Sequence, residues 1–202
     1  SRPSASPMSH HPACLLGKVT RILTGHSFRS RIQHDPAGYF RVIQGKDIRS
    51  DRTLDAENLT RVHIPEHSRS KPDKWVKRDD ILLMTRGDHN YAVFIDTPLP
   101  PTFTQNSFCT LRVINETTLL PNYLATVLNQ PTLQARLHSL RSGSSIPNIT
   151  LGALRNVEIP LPPLPIQREI VNLSRLIHRE KALADQIHAA RLRQLDTLAA
   201  SL

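Results

Sequence analysis

The sequence has little of several residues that mark common classes of protein. It contains only two cysteines and seven glycines in 202 residues, and aromatic residues make up 4%. The cysteines, Cys14 and Cys109, lie in dissimilar contexts, so they define neither a disulfide framework nor a metal-binding spacing. We therefore predict a reduced, cytoplasmic protein.

Motifs for nucleotide binding and hydrolysis are absent as well. There is no Gly-x-x-x-x-Gly-Lys-Ser/Thr, Gly-x-Gly-x-x-Gly, His-Glu-x-x-His or Gly-x-Ser-x-Gly. Pro72-Asp73 could begin a metal-dependent nuclease motif, but the chain has no Asp/Glu-x-Lys to complete it. The ten histidines are scattered without ligand spacing. We predict no catalytic residue, no metal and no cofactor.

Long apolar runs are also missing. None approaches the roughly 18–20 residues of a membrane span, and the N-terminus lacks the apolar centre of a signal peptide. No membrane-spanning segment and no signal peptide are expected, and residues 1–14 are predicted to be a disordered tail.

What the sequence does have is positive charge. The formal net charge is +9 and the pI is about 10.2. Residues 1–80 hold 15 Lys/Arg against 9 Asp/Glu, whereas residues 81–160 hold 5 against 4. This excess favours a nucleic-acid partner first and an anionic membrane surface second. A basic protein with neither partner is the alternative.

Two regions of different character follow the tail. Strand-like runs at 39–44, 81–85, 91–95 and 107–114 predict a β-rich domain over residues 15–160, with short helices opened by Pro121 and Pro131. Residues 161–202 form a proline-rich junction and a helix beginning at Pro165. That helix contains no later Gly or Pro and could span roughly 50 Å. The predicted fold class is α+β.

The long helix carries an apolar seam. Its first positions are spaced 4-3-4, Glu180 then interrupts it, and Arg191 stands where another apolar residue is expected. A coiled coil with a stutter explains this pattern, and an amphipathic helix lying on its own domain is the alternative. The predicted packing residues are Ile166, Ile170, Leu173, Ile177, Ala184, Ile187 and Leu195.

Polar and basic loops are the candidate DNA-binding segments. Arginine and lysine pair with guanine, and glutamine and asparagine pair with adenine. Other cations neutralise phosphate and position the protein. Each loop alone is explained equally well as a solvated turn, but together with the charge bias they favour DNA. The candidates are Gln44, Lys46, Arg49, Arg52, Lys71, Lys74, Lys77, Arg86, Asn90, Arg141 and Ser144.

The segment 143–170 joins a Gly/Ser turn, a short strand, a proline run and the start of the long helix. Its most specific part is Ile159-Pro-Leu-Pro-Pro-Leu164, followed by Gln167 and Ile170. Leu16-Gly17-Lys18-Val19 and the 80–87 segment add weaker matches. This order resembles the junction in DNA-specificity subunits of type I restriction–modification systems, and the resemblance covers about residues 15–180.

The resemblance implies a target-recognition domain that docks in a DNA groove. It also implies a helix that packs antiparallel against a second such helix, sets the spacing of two half-sites and docks methyltransferase subunits. Family members normally carry two domains and two helices, whereas this sequence has one of each. The resemblance therefore implies one of two proteins. The first is a half-length subunit that homodimerises and reads one half-site of double-stranded DNA per chain. The second is a solo protein without enzyme partners.

The functional hypothesis is a non-catalytic DNA sequence-recognition subunit. The alternative is an adaptor that captures protein partners through its long helix and does not bind DNA. A stand-alone nuclease ranks third because no catalytic set can be assembled.

Overall fold

A computed structural model describes residues 12–28, 31–64, 72–143 and 145–200 of the chain. Within them the fold is mixed α+β with a long C-terminal helix, which confirms the predicted class. The strands are β1 (Ala13–Leu15), β2 (Thr20–Thr24), β3 (Phe40–Ile43), β4 (Thr60–Val62), β5 (Ile81–Met84), β6 (Ala92–Phe94), β7 (Thr102–Thr104), β8 (Phe108–Val113) and β9 (Glu158–Pro160). The helices are α1 (Leu16–Val19), α2 (Pro121–Leu128), α3 (Pro131–Ser139), α4 (Leu151–Arg155) and α5 (Leu164–Ala199).

The central sheet is antiparallel with strand order β2-β8-β5-β6. All four residues of its strand β5 are apolar. Because side chains alternate across a strand, both faces of β5 are therefore apolar. Ile81 and Leu83 belong to a large core shared with α2 to α5, whereas Leu82 belongs to a second core on the other face. The sheet is therefore covered on both sides, and its polar loops lie at the strand ends.

A second sheet has the order β4-β3-β7, in which β3 and β7 run parallel. Val42 lies opposite Phe103, a residue 61 positions later in the chain. Phe40 and Trp75 surround Phe103, with ring centroids 5.1 and 6.3 Å from it. This aromatic cluster fixes the 40–47 segment beside the 102–107 segment.

The strands β1 and β9 form a two-stranded antiparallel sheet, and the Leu161 backbone N–H donates to Pro12 O at 2.8 Å. Ala13 and Cys14 lie in β1, so the predicted tail boundary at residue 14 is two residues too late. The physical reason is that β9 supplies a pairing partner 145 residues away, which local composition does not show. Residues 1–11 lie outside the described residues.

The helix α5 has 36 residues, a length of roughly 54 Å. Only Gln167 and Val171 are buried along it, and both lie in its first three turns. Beyond them it leaves the domain. Leu173 is 60% exposed and Leu195 is 61% exposed, so this helix does not lie with its apolar seam on its own domain.

The predicted seam residues fall into two groups. Ile166 and Ile170 are half-buried, and Ile170 packs against the large core. The other members are all exposed: Leu173, Ile177, Ala184, Ile187 and Leu195.

Candidate nucleic-acid interface

A tight turn follows β3 and carries the first candidate residues. Gly45–Asp47 forms one turn of 3-10 helix, in which the Asp47 carboxylate accepts from the Gln44 backbone N–H at 2.8 Å. Burial raises the pKa of Asp47 above its usual value, although the Gln44 N–H and nearby Lys46 oppose this. Because Asp47 is turned inward, Lys46 is left exposed at the tip of the turn.

A polar cleft of about 330 Å³ opens beside this turn. The side chain of Gln44 is held at its wall, where Nε2 donates to Thr60 Oγ1 at 2.9 Å. The cleft is lined by Phe28, Arg31, Ile32, Gln44, Lys46, Gln105 and Asn106. Donors and acceptors of the kinds that read base edges thus share one concave surface.

The turn after β5 adjoins the same region. The backbone N–H groups of Thr85 and Arg86 donate to Ser107 O at 2.8 and 3.3 Å, which places Arg86 beside the 105–107 loop. Gly87 has a φ of +102°, a conformation that glycine adopts at little cost. Arg86 is exposed, and no ion pair of its side chain occurs among the described residues.

The segment from Pro147 to Ile149 packs against this loop. Gly87 N donates to Pro147 O at 3.0 Å, and Ile149 N donates to Thr85 O at 2.9 Å. Asn148 forms isolated bridges with both Arg86 and Ser142. Two loops whose contacting residues are 60 to 64 positions apart in the chain are thereby joined at the C-terminal end of β5.

Arg52 reaches the same end of the sheet from a different loop. It has a φ of +67°, and its guanidinium carbon lies 4.5 Å from the centroid of the Tyr91 ring. Tyr91 O accepts from Met84 N at 3.0 Å, so this cation–π contact sits next to the last residue of β5. We call the set Gln44, Lys46, Arg52, Arg86, Gln105 and Asn106 the β5-end surface.

Lys74 and Lys77 lie at the opposite end of β5. Both are exposed, and the Lys77 backbone N–H donates to Asp80 Oδ2 at 2.7 Å, just ahead of Ile81. The structure therefore does not bring these two cations together with the β5-end surface.

Two other candidates are already engaged within the domain. Arg49 pairs with Asp55 at 3.1 Å. Arg141 is 11% exposed, pairs with Asp88 at 3.7 Å and donates to its backbone oxygen at 3.2 Å. Both cations hold loops in place.

Asn90 departs from the prediction of a DNA-facing side chain. It is 3% exposed, and Nδ2 donates to Met84 O at 3.0 Å. Its own backbone oxygen accepts from Gln134 Nε2 at 2.7 Å. It is buried because the 86–90 loop folds back onto the end of β5, and we leave it out of the surface. Lys71 and Ser144 lie outside the described residues.

Three polar residues that line the cleft are not among the candidates from the sequence: Arg31, Gln105 and Asn106. None stands in a basic run, and the parallel pairing of β3 with β7 is what carries Gln105 to Gln44, where Gln105 N donates to Ile43 O at 2.9 Å. Only the polar pair Gln105-Asn106 just ahead of β8 could have suggested a loop contact.

In the described part of the chain, no group of three or more His, Cys, Asp or Glu residues is arranged to hold a metal ion. Among the same residues, no helix combines the length and apolar character that crossing a bilayer requires.

The β-rich domain and its projecting helix find a counterpart in one known family. The profile of the type I restriction modification DNA specificity domain matches residues 16–195. The chain belongs to this family. No curated protein sequence matches it.

Solved structures of similar fold include S subunits. The S subunit from M. genitalium is 19% identical, with a TM-score of 0.59 over 93% of this chain and 45% of that one. The HsdS subunit from Thermoanaerobacter tengcongensis is 24% identical, with a TM-score of 0.61 over 92% and 42%. A chain from a study of complex assembly in the type I R-M system is 23% identical, with a TM-score of 0.67 over 98% and 46%. The present chain thus spans less than half the length of these relatives.

Proposed function

We propose that this chain is a DNA sequence-recognition subunit of a type I restriction–modification system, and that it reads one half-site of duplex DNA and catalyses no reaction itself. The observation that carries the proposal is the β5-end surface. Lys46, Arg52 and Arg86 are exposed there, and none forms an ion pair with a carboxylate among the described residues. They would neutralise phosphate or pair with guanine, and the neighbouring amides would pair with adenine.

The second half-site would be read by a second copy. The exposed apolar stripe of α5 needs a partner, because a helix with such a face is stable in water only when that face is covered. A two-fold dimer would select a symmetric, bipartite site. Methyltransferase subunits would dock on the helix pair, in the cytoplasm.

The proposal is tested by selecting bound sequences from a pool of random duplex DNA. The affinity for the most enriched sequence is then measured by fluorescence anisotropy. We expect one symmetric bipartite sequence to be enriched. We also expect affinity to fall steeply with added salt, because each neutralised phosphate releases counterions.

Variants then locate the surface. Arg86→Ala should weaken binding to the selected site roughly tenfold or more and relax its specificity. Lys46→Ala should also weaken it. The matched control is Arg175→Ala, which removes the same charge from an exposed position on α5 and should change affinity less than about twofold. Lys74→Ala should weaken binding to all sequences alike, since a phosphate contact carries no sequence information.

Two results would contradict the proposal in different ways. Wild-type affinity in both Arg86→Ala and Lys46→Ala would remove the β5-end surface as the contact. If no sequence is enriched and the protein has no affinity for duplex DNA at low salt, the alternative is favoured, in which the protein is an adaptor that binds protein partners through its exposed helix.

A further inference from the structure

Two charged residues stand in the middle of the exposed stripe of α5. At roughly 100° per residue, Glu180 and Arg191 fall on the same helix face as Leu173, Ala184 and Ile187. Both are exposed, and neither forms an ion pair or a side-chain hydrogen bond among the described residues. Their position within an otherwise apolar helix face therefore needs a physical explanation.

The helix itself does not satisfy these charges. The residues three and four positions from Glu180 are all apolar: Leu176, Ile177, Leu183 and Ala184. Glu180 and Arg191 are eleven residues apart, which is about 16 Å along the axis and too far for contact. An oppositely charged protein partner for either residue would therefore have to come from outside α5.

With the charged residues included, the seam is a regular heptad pattern and needs no stutter. Steps of four and three residues alternate without a break along α5. The seam positions are Ile166, Ile170, Leu173, Ile177, Glu180, Ala184, Ile187, Arg191, Gln194 and Leu198. This replaces the register shift expected from the sequence.

We infer that two copies of this chain pair antiparallel through α5 in one register, in which Glu180 of each copy meets Arg191 of the other. The inference rests on the proposed function for its choice of a second copy as partner. The two-fold axis then passes between Asp185 and Gln186. Ala184 faces Ile187 of the second copy, and Leu173 faces Leu198. These pairs follow because an antiparallel coiled coil sets the two kinds of core position opposite each other.

Charge complementarity selects this register over its neighbours. A slip of one heptad in one direction sets Glu180 against Ala184 and Arg191 against Leu173. A slip in the other direction sets Glu180 against Leu198 and Arg191 against Ile187. Each slip leaves four charges without partners in an apolar seam. A polar pair at core positions can thus fix register and orientation, at some cost in stability.

A parallel pair in register is disfavoured for a different reason. It would set Glu180 against Glu180 and Arg191 against Arg191, and like charges in contact are strongly unfavourable.

The register also sets a distance. The axial separation between Leu164 of one copy and Leu164 of the other is about 65 Å. The two domains therefore lie at opposite ends of the helix pair. The domain-facing side of α5 is defined by Gln167 and Val171, more than 100° around the helix from Leu173, so it stays packed on its own domain.

The test measures self-association of the full chain by sedimentation equilibrium without DNA. Glu180→Arg alone and Arg191→Glu alone each create two like-charge contacts in the homodimer. Each should raise the dimer dissociation constant roughly tenfold or more. The double variant E180R/R191E restores both opposite-charge contacts and should bring the constant back to within about threefold of wild type.

Mixing the two single variants gives the sharper result. Chains with Glu180→Arg carry arginine at both positions, and chains with Arg191→Glu carry glutamate at both. A heterodimer of the two therefore has two opposite-charge contacts, and it should form at concentrations where each variant alone is monomeric. Controls with the same charge changes on the opposite face, Asp196→Arg and Arg193→Glu, should leave association unchanged. Circular dichroism checks that every variant keeps its helix.

Three outcomes would overturn the inference. These are a monomeric wild type, a stable dimer in both single variants, and a mixture of the single variants that stays monomeric. Because no DNA is present, such a failure is separate from a failure of the proposed DNA reading. Conversely, successful heterodimer formation would stand even if no DNA sequence were selected.

Discussion

Gln167 at the start of α5 and Leu120 ahead of α2 are joined by a hydrogen bond of 2.9 Å, in which the Leu120 backbone N–H donates to Gln167 Oε1. The Nε2 of the same side chain donates to Thr118 O and Pro162 O, both at 2.8 Å. Gln167 is 0% exposed, so water does not replace these partners. One buried amide thus joins α5, the proline junction and the approach to α2, and fixes where the long helix leaves the domain.

Replacing this amide should destabilise the domain. Gln167→Met keeps the approximate size but leaves the Leu120 N–H and the Thr118 and Pro162 carbonyl groups without this partner. We expect a loss of about 2–5 kcal/mol in the free energy of unfolding, because a buried group without a partner costs about 1–3 kcal/mol and Thr118 is exposed to water. Urea denaturation measures it, and Gln186→Met at an exposed position of α5 is the control. Equal losses in the two variants would remove the role assigned to Gln167.

The second prediction concerns the ion pair between Asp80 and Arg112. Arg112 Nε and Nη2 donate to the two Asp80 oxygens at 2.7 and 2.8 Å, and the guanidinium also donates to Asp73 O and Trp75 O. Hydrogen bonding to Asp80 raises the pKa of Arg112. The Asp80 side chain is 1% exposed, so Arg112→Met would leave a buried carboxylate without its cation.

The expected loss for Arg112→Met is about 3–5 kcal/mol. Arg112→Lys keeps the charge without the two-pronged geometry and should fall between wild type and Met. The double variant D80L/R112M should recover part of the loss, since it removes both charges. A double variant less stable than Arg112→Met would show that the carboxylate is not what destabilises the single variant. Chemical denaturation of wild type and the three variants measures these differences.

The correct and the incorrect sequence predictions differ in whether the residues that determine them are neighbours in the chain. The spacing of Leu173 and Ile177 and the lack of Gly and Pro after Pro165 predicted the long helix, because helical periodicity is a property of neighbouring residues. The cleft between Gln44 and Gln105 depends on the β3–β7 pairing, which no local pattern encodes. Arg141 looked like a free loop cation because its partner Asp88 lies 53 residues earlier.

The third prediction is a dependence of stability on pH through His26. Its ring packs against Phe28 and Phe103, with centroids 4.6 and 5.6 Å away. Burial lowers the pKa of His26 below its ordinary value. Below about pH 6.5 the unfolded chain therefore takes up a proton that the folded chain binds more weakly. The folded state loses stability as the pH falls through that value.

His26→Phe keeps an aromatic ring and removes the titration. The difference in unfolding free energy between about pH 7.5 and pH 5.5 should be smaller in this variant than in wild type. The control is His63→Phe at an exposed histidine, which should leave that difference unchanged. An identical pH dependence in His26→Phe and wild type would exclude His26 as its source.

The last prediction tests whether the β5-end surface depends on close backbone packing at Gly25. A Cβ atom on Gly25 would collide with Gln105 O and lie 2.9 Å from Phe108 O. Gly25→Ala must therefore displace the 105–108 segment, which carries Gln105 and Asn106. We expect a loss of about 1–3 kcal/mol in stability from overpacking, and weaker DNA binding where the protein is still folded.

The matched control for Gly25→Ala is Gly152→Ala in α4, where a Cβ atom meets nothing within 4 Å. Alanine is the better helix former, so this variant should gain up to about 1 kcal/mol and bind DNA as wild type does. Thermal unfolding and anisotropy titration of both variants measure the two effects. If Gly25→Ala is destabilised but binds DNA with wild-type affinity and specificity, Gln105 and Asn106 do not contact DNA, and the surface reduces to Gln44 and its three cations. Should both properties fall together, the 105–107 loop supports the reading surface, either through its amides or through the bonds from Thr85 and Arg86 to Ser107 O, because Gly25 itself has no side chain with which to contact DNA.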